Sequence, residues 1–230
     1  MSSINRRQAL KFVGGASLAS LTTAVPAQAS PGPAQSTGVM LPRAAWGARP
    51  ARPGGKPHTI TRMTIHHSAV ALPDNRQIAA RLRQHQRYHM DDKGWVDIAY
   101  HFAVDRRGNI FVLRDTAIAG DTATDYDTTG HFLVLCEGNF DEEAVTEAQL
   151  NGAALVCAWA TKQFGIGVNT LGSHREMTSA TDCPGTNLQA HISSGDLASR
   201  ISGLISSGFS LQPAPIQTAT TLVSAIEDGS

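Results

Sequence analysis

The chain has 230 residues, 41% hydrophobic and 17% charged, with 19 basic and 19 acidic side chains. This size supports one domain with a full-sized core, and the balanced charge argues against nucleic acid or another polyanion as a partner. Three cysteines cannot all pair, so Cys136 and Cys157 read as buried free thiols, with a disulfide between them as the alternative in an oxidising compartment.

Residues 1–29 read as an export signal. Arg6-Arg7 and Lys11 form a charged n-region, Phe12 to Val25 is weakly apolar, and Ala27-Gln28-Ala29 is an A-x-A cleavage site. The paired arginines before a segment of low hydrophobicity favour the twin-arginine route over an ordinary secretory n-region. A membrane span takes ~20 mostly apolar residues, and Gly14, Gly15, Ser17, Ser20, Thr22 and Thr23 interrupt this one. The expected product is exported, monomeric and not held in a membrane, and its 16 basic and 19 acidic residues leave it slightly acidic.

Residues 30–40 begin with SPGPAQST and read as a linker; residues 41–205 read as the domain. Trp46 is expected to anchor the N-terminal arm by burial. The run Arg62 to Ser68 reads as a buried strand containing His66-His67, whose side chains must face opposite ways. Asp74 to Tyr88 reads as a helix capped by Asp74, with Arg81 facing solvent and His85 and His89 as solvated or helix-end histidines. Strands are expected at Ile98 to Val104 and Ile110 to Arg114, and the apolar run His131 to Gly138 as the central strand. Glu137 at its end reads as a solvated carboxylate, a second-sphere or catalytic role being the alternative.

Thr146 with Gln149 signals a capping box at the start of a helix running to Phe164, which Gly165 can end. Leu171 to Gly185, LGSHREMTSATDCPG, then places His174 and Cys183 on one loop too irregular for a helix. Two soft donors there, with one of His66 and His67 as a third, suit zinc with an open position for water. A small buried cysteine at a turn and a satisfied strand histidine are the plainer reading. Asn187 to Ile205 reads as a weaker helix broken near Gly195, and the Ser/Thr/Ala-rich residues 206–230 as a disordered tail.

These pieces resemble the peptidoglycan recognition protein and zinc-dependent N-acetylmuramoyl-L-alanine amidase family, which includes phage-type amidase lysozymes. The resemblance rests on Arg43-x-x-Trp46-Gly47-Ala48-Arg49-Pro50, Ile65-His66-His67-Ser68, Gly94-Trp95-x-Asp97-Ile98-Ala99-Tyr100-His101-Phe102 with Asp105-x-x-Gly108, Gly138-Asn139-Phe140, and Ser173-His174-Arg175-Glu176 through Asp182-Cys183-Pro184-Gly185. It implies an α/β fold with a mixed, mostly parallel central sheet flanked by about three helices. It also implies zinc held by His66, His174 and Cys183, with Tyr100 as the catalytic tyrosine and Thr181 beside it. Two departures stand out. Gly120 to Asp127 lacks the histidine that the family commonly carries there, and the loop from His174 to Cys183 is one residue longer than usual, which should bulge it near Met177 to Ala180.

The activity implied is hydrolysis of the amide between N-acetylmuramic acid and L-alanine in peptidoglycan, with zinc-bound water as nucleophile and Tyr100 and Thr181 positioning the water and the oxyanion. Two bases stay open, metal hydroxide relayed through Tyr100 and Glu137 acting through water. The competing expectations are a peptidoglycan-binding module that does not cut and a purely structural zinc.

Overall fold

The computed structural model describes residues 36–230; the expected signal and residues 30–35 lie outside them. Seven strands form one sheet: β1 (Ser36–Leu41), β2 (Arg62–His67), β3 (Phe102–Val104), β4 (Ile110–Val112), β5 (His131–Cys136), β6 (Leu171–Ser173) and β7 (Phe209–Pro213). Their order is β6-β2-β5-β3-β4-β1-β7, and every pairing is parallel except β3 with β4. The mixed, mostly parallel sheet is thus present.

Strand β5, expected at the centre, lies third of seven beside the middle strand β3, and both of its faces are covered, as a parallel sheet requires. Phe132, Val134 and Cys136 pack under α2 (Glu147–Phe164), while Leu135 points into the opposite layer with Leu82 of α1 (Ile78–Arg87). Cys136 and Cys157 are both buried and free. Trp46 is fully buried, and its Nε1–H donates to Val112 O at 2.9 Å.

Helix α2 starts where Thr146 Oγ1 accepts from Gln149 N–H at 3.1 Å, and it ends at Gly165 in the left-handed region. The Gln149 side chain does not complete the capping box. Its amide donates instead to Val104 O and Glu137 O, both at 3.0 Å, tying the helix start to the sheet.

Among the described residues there are six α-helices where about three were expected: α3 (His174–Met177), α4 (Thr186–Ser193), α5 (Asp196–Ser207) and α6 (Ile216–Asp228) join α1 and α2. Gly195, at positive φ, divides α4 from α5, as the sequence suggested. Two boundaries need correction. Residues 36–40, read as linker, belong to β1, and the expected disordered tail 206–230 completes α5 and forms β7 and α6. Strand β7 pairs with β1 from Ser36↔Phe209 to Met40↔Pro213, and α6 buries Ala219, Val223 and Ile226 at helical spacing. Burying aliphatic side chains such as Leu211 and Val223 is worth ~1.5–3 kcal/mol each, enough to order a segment of weak propensity.

Candidate metal centre and cleft

Strands β2, β5 and β6 run parallel, so their C-terminal ends share one edge of the sheet, where open α/β folds place their sites. His66 is the next-to-last residue of β2, and His174 follows β6 directly as the first residue of α3. Strand parity decides between the paired histidines. Met63 and Ile65 pack under α2, and His67 shares their face beside Phe140; His66 points the other way, with Thr64.

The result brings His66, His174 and Cys183 together. All three are buried, and one donor atom from each lies within 4.8 Å of the others. His66 Nδ1 is 3.7 Å from Cys183 Sγ, and the two imidazole centres are 4.7 Å apart. His67 contributes its backbone rather than its ring: its N–H donates to Cys183 Sγ at 3.3 Å, while its Nδ1 accepts from Phe140 N–H.

The loop carrying Cys183 is more regular than its composition suggests. His174 to Met177 makes one helical turn, with Glu176 accepting from Ser173 N–H at 3.0 Å, and Arg175 N–H donates to Cys183 O at 2.8 Å. The loop then closes at Gly185, at φ +85°, where a Cβ would lie 2.6 Å from the Phe140 carbonyl carbon. Thr181 Oγ1 accepts from Cys183 N–H at 3.1 Å, which fixes that residue beside the sulfur.

Electrostatics suit a cation. Burial, then the neighbouring His174, holds His66 well below the ordinary imidazole value, and burial brings His174 down to about 4. Both rings are therefore neutral at pH 7 with a lone pair to offer. Burial pushes the Cys183 thiol up to about 12, and the His67 N–H works in the opposite direction. A bound cation reverses that preference, since a coordinating thiol gives up its proton. Two neutral imidazoles and one sulfur already accepting an amide hydrogen form a soft three-donor set that fits zinc with one position open.

The three residues line a cleft of about 510 Å³ shared with Tyr88, His89, Trp95, Tyr100 and Thr181. The Tyr100 ring centre is 5.2 Å from that of His66. Burial, followed by repulsion from Cys183, raises the phenol pKa, so its hydroxyl remains a donor.

Three expectations for nearby groups are overturned. Glu137 is fully buried, not solvated: it accepts from Ser68 Oγ at 2.9 Å and sits 3.1 Å from His85 Nε2 and 3.4 Å from Arg81. Arg81 therefore faces this carboxylate rather than solvent, and His85 is partly buried against it. His89 is buried as well; its Nδ1 accepts from Ala99 N–H at 3.1 Å, and burial lowers its pKa to about 3. An inserted π-helical turn, Tyr88–Asp92, carries it into the cleft wall.

Sequence reasoning missed the residues that meet Nε2 of the two imidazoles. Thr124 Oγ1 is 2.7 Å from His174 Nε2, and Tyr126 OH is 3.4 Å from His66 Nε2. The signal was present: both lie in the Gly120 to Asp127 block, where the pattern departs from the family.

Residues 56–186 match the family described as N-acetylmuramoyl-L-alanine amidase. The chain is similar to a pig (Sus scrofa) N-acetylmuramoyl-L-alanine amidase, 34% identical over 154 residues, covering 64% of this chain and 25% of the relative; it thus spans about a quarter of that protein. It is also similar to peptidoglycan-recognition protein SC2 of Drosophila melanogaster, at 29% identity over 66% of this chain and 84% of the relative. Among solved structures, the ectodomain complex of peptidoglycan recognition proteins LCa and LCx with bound tracheal cytotoxin aligns with a TM-score of 0.61 and 30% identity. That alignment covers 67% of this chain and 94% of the other.

Proposed function

Because the chain belongs to the N-acetylmuramoyl-L-alanine amidase family, we propose that it hydrolyses the amide joining N-acetylmuramic acid to L-alanine in peptidoglycan, with zinc held by His66, His174 and Cys183. The observation that carries this reading is the convergence of two neutral imidazoles and one sulfur within 4.8 Å, in a cleft that also holds Tyr100.

Zinc at this position supplies Lewis acidity, which activates water near neutral pH and polarises the scissile carbonyl. The remaining work belongs to the chain. The Tyr100 hydroxyl, kept protonated by its surroundings, donates to the oxygen that gains charge as the carbonyl is attacked. Thr181, locked by the Cys183 N–H, presents its hydroxyl at the same rim and orients water. Burial of both ligand imidazoles keeps them neutral, so they hold the metal rather than compete for protons. The alanine amine leaves with a proton relayed through the cleft. Glu137 does not line that cleft; it braces Ser68, Arg81 and His85 behind it.

Export through the twin-arginine route with cleavage after Ala29, and action as a monomer, belong to the same proposal. Arg6-Arg7 and the A-x-A site support the first. No helix among the described residues is long and apolar enough to cross a membrane.

Release of new alanine amino groups from purified cell wall, lost with a chelator and restored by zinc, tests the proposal. Tight wall binding with no release would leave a recognition module in its place.

A further inference from the structure

Each imidazole of the candidate metal centre is met at Nε2 by a hydroxyl from one short segment. His66 turns Nδ1 to Cys183 Sγ at 3.7 Å, and its Nε2 lies 3.4 Å from Tyr126 OH. His174 Nε2 lies 2.7 Å from Thr124 Oγ1. The Tyr126 ring also packs against His174, with centres 5.0 Å apart.

We propose that Thr124 and Tyr126 are positioning residues for the metal: they accept hydrogen bonds from Nε2–H of His174 and His66 and so hold both rings in the tautomer that presents Nδ1 to zinc. The inference rests on the zinc reading above.

Donor roles fit along the whole chain of hydroxyls. A neutral imidazole has one donor and one acceptor nitrogen. If His174 Nε2 carries the proton, it donates to Thr124 Oγ1, and that hydroxyl donates onward to Thr122 Oγ1 at 2.8 Å. Thr122 Oγ1 also accepts from Thr124 N–H at 3.2 Å, which closes the segment on itself and fixes the acceptor in place. The Tyr126 hydroxyl oxygen, 3.4 Å from His66 Nε2, has lone pairs to accept in the same way. Metal-ligating histidines commonly donate their second N–H to an oxygen, which fixes the ring and raises its basicity. Carbonyls and carboxylates usually fill that role; here two hydroxyls do. The distances rank the two contacts, because a bond at 2.7 Å is strong and one at 3.4 Å is weak.

Zinc titration of metal-free protein against a chromophoric chelator tests this without reference to turnover. Thr124→Val should weaken zinc binding by ~10–100-fold, and Tyr126→Phe by a smaller factor. Thr124→Ser, which keeps the hydroxyl, should stay close to wild type. Nitrogen-15 NMR of the unvaried protein should show the Nε2–H tautomer at both His66 and His174, a readout that a packing role would not set. Unchanged zinc affinity in Thr124→Val, or an Nδ1–H tautomer at His174, would overturn the inference alone. A wild-type protein that takes up no zinc would instead overturn the metal reading, and this inference with it.

Discussion

Cys183 Sγ lies 3.7 Å from His66 Nδ1, although 117 residues separate them, and the His67 N–H points at the same sulfur. Strand β2 and the loop after α3 meet only because β6 pairs with β2 on its outer side. Cys183→Ser removes the soft anionic donor and leaves the loop bonds of Thr181 and Arg175 in place. It should lose bound zinc and amide hydrolysis together. Cys136→Ser changes a buried core residue on the α2 side and should keep its zinc. Metal analysis of both purified variants decides, and a full equivalent of zinc in Cys183→Ser would make Cys183 a packing residue.

Tyr100→Phe removes one hydroxyl and keeps the ring packed against His66 and His89. An interaction made only in the transition state lowers kcat and kcat/KM equally. Hydrolysis should fall by ~10²–10³-fold, with zinc content and wall binding unchanged. Steady-state kinetics beside a binding isotherm would show this, and an unaltered kcat would confine Tyr100 to packing.

Much of this site was legible because its chemistry sits in short motifs. Ile65-His66-His67-Ser68 and the stretch from His174 to Cys183 carry their residue types openly, and the capped helix after Thr146 follows from local rules. Choosing His66 over His67 on physical grounds needed the sheet, since parity means nothing until one face is known to lie under α2. Glu137 was misread because its burial depends on Ser68, Arg81 and His85, none of them near it in sequence. Thr124 and Tyr126 were missed because a hydroxyl earns its role only from the ring it faces.

The segment read as a disordered tail supplies a stability test. Its Ser/Thr/Ala-rich composition hides the spacing of Ala219, Val223 and Ile226, and β7 gains its order from pairing with β1. Leu211, almost fully buried, is its anchor in the core. Leu211→Ala should cost ~2–5 kcal/mol in chemical denaturation. A loss no larger than that of an ordinary surface substitution, within ~0.5 kcal/mol, would mean that β7 is not part of the folded unit.

Acid should destabilise the fold through its buried neutral histidines. Burial lowers the pKa of His101 to about 3, while its Nε2–H donates to Ile118 O and its Nδ1 accepts from Leu133 N–H. An unfolded chain takes up this proton near pH 6.5 and the folded one only near 3, so the unfolded state binds more protons in between. The stabilising contribution is complete above about pH 6.5 and is lost as pH falls towards 3. His131, lowered to about 4, acts in the same direction. Denaturation curves between pH 8 and 4 should show stability declining with acid. His101→Gln, which keeps a donor and an acceptor, should flatten that decline by up to about 1.4 kcal/mol per pH unit. An unchanged slope would remove His101 from this account.

The most direct test of the central claim is mass spectrometry of a defined muramyl tripeptide incubated with the zinc-loaded protein in ¹⁸O-labelled water. The account predicts cleavage between the lactyl group and L-alanine, with one labelled oxygen on the lactyl carboxylate and a free amine on alanine, abolished by chelation and restored by zinc. A muramyl peptide that is bound but recovered intact, with zinc present at full occupancy, would contradict it.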